Sequence, residues 1–404
     1  MEREYLMTSE SVFEGHPDKV ADQISDAVLD AYLALDPEAR VACDTFVAKD
    51  LVVIGGEITS NAKVSHEKVV RQKLREIGYT DNSCGLNANT CKILISISPQ
   101  SSNIAQGIRR DGGELGAGDQ GTMFGYASDE TPELMPLGIL LANRLSQRHS
   151  ELRRSGKYCW LKPDGKTQIT VRYEGARPVA VEKVVLSAHH GVVGEDELRT
   201  AVVDEIINPV VPTCLRQDTT TYLVNPAGEF TIGGPRADAG LTGRKIIVDT
   251  YGGYCPHGGG AFSGKDPTKV DRSATYMARY IAKNIVAAEL ASRCTVQLSY
   301  AIGEPEPTSL MVDLHGTGRV DEAELVSAVY RTFRPTPRRI IDALDLRRPI
   351  YQMTAVFGHF GRELPEFTWE RTDKAPVLRD CFGLREAADH APEDGGEPVQ
   401  IRKH

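Results

Sequence analysis

No stretch of this 404-residue chain approaches the roughly 20 consecutive apolar residues that a membrane span requires. Positive charge is not in excess either. A formal net charge of -9 argues against non-specific nucleic-acid binding, which needs a basic surface. It leaves room for a locally cationic pocket around an anionic ligand. Paired cysteines are missing too: Cys43, Cys84, Cys91, Cys159, Cys214, Cys255, Cys294 and Cys381 are scattered, with no CxxC among them. The opening Met1-Glu2-Arg3-Glu4 mixes charges, and no apolar core of signal-peptide length follows it. Reduced thiols and a cytoplasmic location are therefore expected, rather than disulfides or a zinc site. The ten histidines also lack metal-ligand spacing; adjacent His189 and His190 would point to opposite faces of a strand.

What is present is the composition of an ordinary globular protein, 41% hydrophobic and 25% charged, at a length that suits two or three domains. One order of elements recurs three times: a long amphipathic helix, two strands, a shorter helix and a further strand. The long helices start near Pro17, Pro136 and Pro267, a residue suited to the first helical turn. The first places Val20, Ile24, Ala27, Val28 and Ala31 on one face. The third does the same with Ala274, Met277, Ala278, Ile281 and Ile285. Strand-like runs follow at 41–47 and 51–58, at 168–173 and 178–186, and at 295–302 and 308–314. The shorter helices fall near 66–77, 195–207 and 320–333, with starts 129 and 125 residues apart. A period this long is a domain duplication, not a solenoid. The expected fold is α+β: three similar domains related by pseudo-threefold duplication, each a β-sheet covered by helices on one face. Boundaries fall at 1–115, 116–236 and 237–384, with segments free to interleave, and a flexible charged tail occupies 385–404. The long glycine-rich connection over 100–121 reads as a functional lid or a disordered segment.

Three segments carry chemistry. Gly258 to Asp266 nearly matches a P-loop counted from Gly259, but Asp266 replaces the magnesium-binding hydroxyl and no good strand precedes it. Two readings stay open at this point: a glycine-rich turn before a helix, or backbone N–H groups and Lys265 gathered around an anion. Asp266 itself reads as a helix cap. The second segment, Ser9 to Lys19, runs from a loop into a helix. There Asp18, Asp22 and Asp26 share a face at i, i+4 spacing and would repel one another unless solvated or neutralised. Asp22 and Asp26 read as a solvated acidic face. Asp18, beside His16 and Lys19, is the candidate for a magnesium ion. The third, Gly228 to Lys245, is dense in glycine around Asp238 and ends in Arg244-Lys245 before an apparent apolar strand, Ile246-Ile247-Val248.

Together these segments resemble the S-adenosylmethionine synthetases. The resemblance rests on Gly15-His16-Pro17-Asp18-Lys19, Gly116-Ala117-Gly118-Asp119-Gln120-Gly121, and Gly259 to Asp266. It rests also on Gly243 to Gly253 and Gly358-His359-Phe360-Gly361-Arg362-Glu363, and it spans about 5–384. It implies attack of methionine sulfur on C5′ of ATP, with release of triphosphate that is cleaved to pyrophosphate and phosphate. A thioether has no proton to lose, so such a site needs cations and magnesium for the leaving group rather than a general base. The catalytic residues implied are His16, Arg244 and Lys265. ATP would be bound by His16, Asp164, Lys166, Phe230, Asp238, Arg244, Lys245, Ala261 and Lys265. Methionine would be met by Glu57, Gln100, Asp119, Asp238 and Lys269. Asp18 and Asp271 would hold magnesium, two ions per site, and Asp44 potassium, and the loop over 100–113 would be the family's mobile lid.

The resemblance further implies active sites between two subunits, hence a homodimer at least and a homotetramer as the full assembly, with no nucleic-acid or membrane partner. Two positions depart from the family pattern. Asp44 stands where a potassium-binding glutamate is usual, and Glu229 where an arginine is common beside Phe230. Other readings remain: a nucleotide or tripolyphosphate hydrolase using the same cationic pocket, or a silent regulatory subunit. The mark of the latter, loss of His16, Asp18, Lys265 or Asp271, is not found.

Overall fold

The computed structural model describes residues 3–100 and 115–384. The expected lid beyond Gln100 and the tail from residue 385 lie outside the described residues. Strands β1 (Glu4–Val12), β2 (Arg40–Ala48), β3 (Leu51–Thr59) and β4 (Lys92–Ser98) come first in the chain. They are followed by β5 (Gly121–Ser128), β6 (Leu161–Glu174), β7 (Arg177–His190) and β8 (Arg216–Val224), then β9 (Gly240–Leu241), β10 (Arg293–Tyr300) and β11 (Ser309–Asp313). They form three sheets, in the orders β1-β6-β7-β8, β11-β10-β5 and β4-β3-β2-β9. Each sheet carries one long helix: α1 (Pro17–Leu33) on β2, α3 (Leu137–Arg154) on β1 and β6, and α6 (Val270–Ala287) on β5 and β10. The shorter helices α2 (His66–Ile77), α4 (Glu195–Val202) and α7 (Glu322–Phe333) occupy the places the periodicity predicts.

The three units exchange strands in a cycle. The strand before α1 joins the sheet under α3, the strand before α3 joins the sheet under α6, and β9, before α6, joins the sheet under α1. Each unit is thereby stitched to the next by backbone hydrogen bonds. All eight cysteines carry free thiols.

Helix α1 begins as its sequence requires. Pro17 occupies the first turn, and the His16 ring Nδ1 accepts the Asp18 N–H at 3.2 Å as the cap. Its apolar face, including Val20, Ile24 and Val28, is fully buried. The opposite face is buried as well, which corrects the reading of Asp22 and Asp26 as solvated: both are 0% exposed. Four aspartates at i, i+4 spacing accept backbone N–H groups from three remote stretches of chain. Asp18 takes Leu241 N–H at 3.1 Å, Asp22 takes Gly243 at 2.9 Å, and Asp26 takes Gly264 at 2.8 Å. Asp30 takes Tyr351 at 3.0 Å and Gln352 at 2.8 Å. Cations close the first three: Lys245 on Asp18, Lys19 on Asp22, and Arg272 on Asp26 through paired contacts of 2.7 and 2.9 Å. Repulsion along the row is thus answered by burial with partners, not by solvent.

Three other expectations are corrected. Ile246–Asp249 is a short helix (α5), not a strand. Positive φ at Gly243 breaks the extended run, and Asp249 N–H bonds to Lys245 O at 2.9 Å, overriding the β-branched preference. Helix α6 starts at Val270, not Pro267, because Asp266 first closes a turn by accepting Thr268 N–H at 2.9 Å and Thr268 Oγ1–H at 2.6 Å. Asp266 therefore braces the turn ahead of the helix instead of capping it; Lys269 is the cap residue. Among the described residues no strand follows α7; the chain enters α8 (Pro337–Ala343) instead.

Removing the Asp26 carboxylate with Asp26→Ala leaves the 0%-exposed Arg272 guanidinium without its counter-charge. Such a loss costs about 3–5 kcal/mol. Urea unfolding should show it as a fall in midpoint at unchanged slope; an unaltered midpoint would refute the role assigned to the acidic row.

Candidate active site

A cavity of about 360 Å³ opens at the N-terminus of α1, lined by His16, Asp164, Lys166, Phe230 and Asp238 among others. The β-bulge in β6 near Gly165, whose φ is +158°, brings Asp164 and Lys166 to its wall. Asp164 accepts the N–H groups of Gly165 and Gly234, both at 2.7 Å, and burial pushes its carboxyl up to about 6. Phe230 lies against His189, ring centroids 5.3 Å apart, and its N–H bonds to His190 Nε2 at 3.1 Å. Burial, reinforced by Lys245, Lys166 and Lys19, pushes His16 down to about 3, so its ring is neutral. A backbone N–H can only donate, so Nδ1, which accepts from Asp18, is the unprotonated nitrogen. The ring proton sits on Nε2 as a donor.

Beside it, Asp18 receives Lys245 Nζ at 2.5 Å and lies 3.5 Å from Arg244 Nε. Burial opposes the Asp18 charge, but hydrogen bonds from Lys245 and Leu241 outweigh it and hold the carboxyl below its ordinary value. Lys166 lines this cleft, while Arg244 and Lys245 meet Asp18, two residues past the cleft-lining His16, so three cations gather around the start of α1 in a protein whose net charge is negative.

Most of the remaining expected residues form a second group, and none of them lines that cleft. Lys265 bridges to Asp271 at 2.6 Å and pairs with Ala42 of β2 as an isolated β-bridge. The glycine loop wraps this pair: a Cβ on Gly260 would lie 2.5 Å from Asp271 Cγ. Asp44 and Glu57, from β2 and β3, belong to the same neighbourhood. Burial pushes the Asp44 carboxyl up, with Lys265 opposing and Glu57 adding to the rise. Gln100 donates its N–H to Thr59 Oγ1 at 3.0 Å, just beyond the end of β3. Asp119 is exposed two residues before Gly121, which adjoins Asp271. Lys269 is paired with Asp266. Ala261 lies between the groups: a Cβ on Gly243 would meet the Ala261 Cβ at 2.5 Å. The two groups hang from one helix. Asp18 supports the first and Asp26 the second, eight residues or about 12 Å along the axis.

Among the described residues no group of three or more His, Cys, Asp or Glu side chains could hold a metal by itself. Asp18 and Asp271 instead each hold a lysine ammonium, so each carboxylate already accepts a cation at this place. One carboxylate in each group suits magnesium, which binds through one or two carboxylates, phosphate oxygens and water. Sequence reasoning missed Ser187 and Asn225, which also line the cleft. They come from the ends of β7 and β8, where nothing in the local pattern marks them. It also missed Asp249, which receives Lys19 and is pushed up to about 7 by burial.

Models of the N-terminal, central and C-terminal domains of S-adenosylmethionine synthetase match residues 4–102, 114–230 and 232–371. The S-adenosylmethionine synthase of Wolinella succinogenes is 52% identical over 386 residues, 95% of this chain and all of that protein. Those of Helicobacter hepaticus and of a Nitratiruptor species are 53% and 54% identical over the same extent.

His16 should remain neutral across pH 5–8, and the NMR shifts of its ring should not titrate there. Unfolded histidine takes up a proton as pH falls through about 6.5, and the folded ring does not until about 3. Stability contributed by this residue therefore declines as pH falls through that window. A ring titrating near 6.5 in the folded protein would contradict the assignment.

Proposed function

Because the chain belongs to the S-adenosylmethionine synthetase family, and so is a methionine adenosyltransferase that makes S-adenosyl-L-methionine, we propose how its site does so. A lone pair of the methionine sulfur forms the S–C5′ bond to ATP while the C5′–O5′ bond breaks. Its electrons pass to the departing triphosphate, leaving a sulfonium product. Water then cleaves the triphosphate to pyrophosphate and phosphate. The observation that carries this reading is the gathering of Lys166 on the cleft wall and of Arg244 and Lys245 on Asp18, around a neutral histidine with a fixed donor at Nε2. Charge accumulates on the leaving oxygen, and preorganised cations and donors lower the barrier where it develops.

In this reading Nε2–H of His16 donates to the triphosphate beside the breaking bond. Lys166, Arg244, Lys245 and Lys265 neutralise its phosphates, and Phe230 packs on adenine. Asp164, Asp238 and Ala261 flank the nucleotide. Glu57, Asp119 and Asp238 face the methionine ammonium, Lys269 turns from Asp266 to the methionine carboxylate, and Gln100 completes that pocket. Asp18 and Asp271 would hold magnesium, which would supply positive charge to the leaving triphosphate. Potassium would rest on Asp44.

Cleft and glycine-loop group are proposed to meet across a homodimer, each subunit supplying one to either site. Across the sheet under α1, the register places Leu241, Phe46, Val53 and Leu94 side by side. Leu241, Phe46 and Leu94 are 41%, 38% and 42% exposed. Asp44 and Glu57 occupy neighbouring rungs of the same pleated face. An apolar open face bearing half of a site calls for a second copy of the chain.

With ATP, methionine, magnesium and potassium, the purified enzyme should yield S-adenosylmethionine, pyrophosphate and phosphate in equal amounts; ADP as a product would sink the reading. Lys265→Ala and Asp271→Ala should each lower kcat by about 10²-fold or more. Phosphate release that ignores methionine would point to a hydrolase instead.

A further inference from the structure

The proposed function leaves Glu14, two residues before His16, without a task. Its side chain is 0% exposed, yet it is a carboxylate in a loop. Two arginines of the last turn of α3 reach it: Arg153 Nη2 donates to Oε1 at 2.6 Å, and Arg154 Nη2 donates to Oε2. A buried carboxylate satisfied by two guanidinium groups is held firmly in place, since release of either leaves charge without a partner. Arg153 also fills the space above the C-terminus of α2, where Gly78 at φ +105° leaves room; a Cβ there would lie 2.5 Å from Arg153 Nη1. Glu14 therefore joins the start of α1 to the ends of α2 and α3, across two of the three units.

The backbone on either side is pinned as tightly. Gln23 Nε2 donates to Glu14 O at 2.6 Å, Tyr79 O–H donates to Gly15 O, and Gly15 N–H donates to Pro163 O at 3.0 Å. A Cβ on Gly15 would lie 2.5 to 2.7 Å from atoms of Pro163, so only glycine passes here. Phe13 is stacked on His149 with centroids 3.7 Å apart. The next residue in this clamped run is His16, at the cleft wall.

We propose that Glu14 is a positioning residue for His16: through Arg153 and Arg154 it fixes where the Nε2 donor stands relative to the leaving triphosphate. The proposal rests on the role given to His16 above. A donor misplaced by about 1 Å loses much of its effect on the transition state while binding of substrate persists.

The test is a set of kcat and KM measurements on full-length enzyme carrying Glu14→Gln, His16→Ala, or both. Glu14→Gln should lower kcat about tenfold and leave KM for ATP within about twofold. In the His16→Ala background it should cost nothing further, because it acts through the ring that is already gone. Arg154→Gln removes one leg of the clamp at a side chain 57% exposed, so it retains the fold. It should show the same silence beside His16→Ala, and so decides the matter even if Glu14→Gln does not fold. Losses that multiply in either double variant, or full kcat in Arg154→Gln, overturn the proposal while leaving His16 its role. Full kcat in His16→Ala alone overturns both.

Discussion

Four aspartates on one buried helix face organise this protein. Asp18, Asp22, Asp26 and Asp30 recur every turn of α1, and each receives a backbone N–H from a segment remote in sequence. A carboxylate so placed must be paired or neutral. The first three are paired with Lys245, Lys19 and Arg272. Asp30 accepts the N–H groups of Tyr351 and Gln352, and burial pushes its carboxyl up to about 7. The row works as a ruler: the loop of Arg244 and Lys245 and the loop of Lys265 are held two helical turns apart because Asp18 and Asp26 are.

That spacing has a consequence for the site. In one chain the cleft of His16 and the loop of the Lys265–Asp271 pair are both tied to α1 yet do not share a cavity. The cyclic exchange of strands stiffens this arrangement, since β9 leads directly into the segment of Arg244 and Lys245 while hydrogen-bonded to β2, which carries Asp44. The sheet so formed presents its apolar rung and the acidic residues beside it on one open face. Stability and site assembly therefore depend on the same few contacts.

Much of this was legible in the residues and some was not. The long helices followed from apolar spacing and from proline in or near the first turn, because both signals are local. The sites at His16 and Lys265 stood out because glycine, charge and a helix start coincide there. The burial of Asp22 and Asp26 was not legible, since their partners Gly243, Gly264 and Arg272 are more than 200 residues away. Ile246–Val248 reads as a strand from its β-branched side chains, and only the turn at Gly243 and the pull of Lys19 on Asp249 make it helical. That the site residues fall into two groups is likewise a property of the folded chain, invisible in motif order.

The central claim is that one complete site needs two chains, the cleft of one and the glycine loop of another. It is tested by co-expressing Lys245→Ala, which damages the first group, with Lys265→Ala, which damages the second. Each variant alone should be nearly inactive. In a random mixture half of the dimers are mixed, and each mixed dimer has one intact site. Activity should therefore recover to about a quarter of the unmodified enzyme. A mixture no more active than its two components would show that both groups must come from the same chain, and the account would fail.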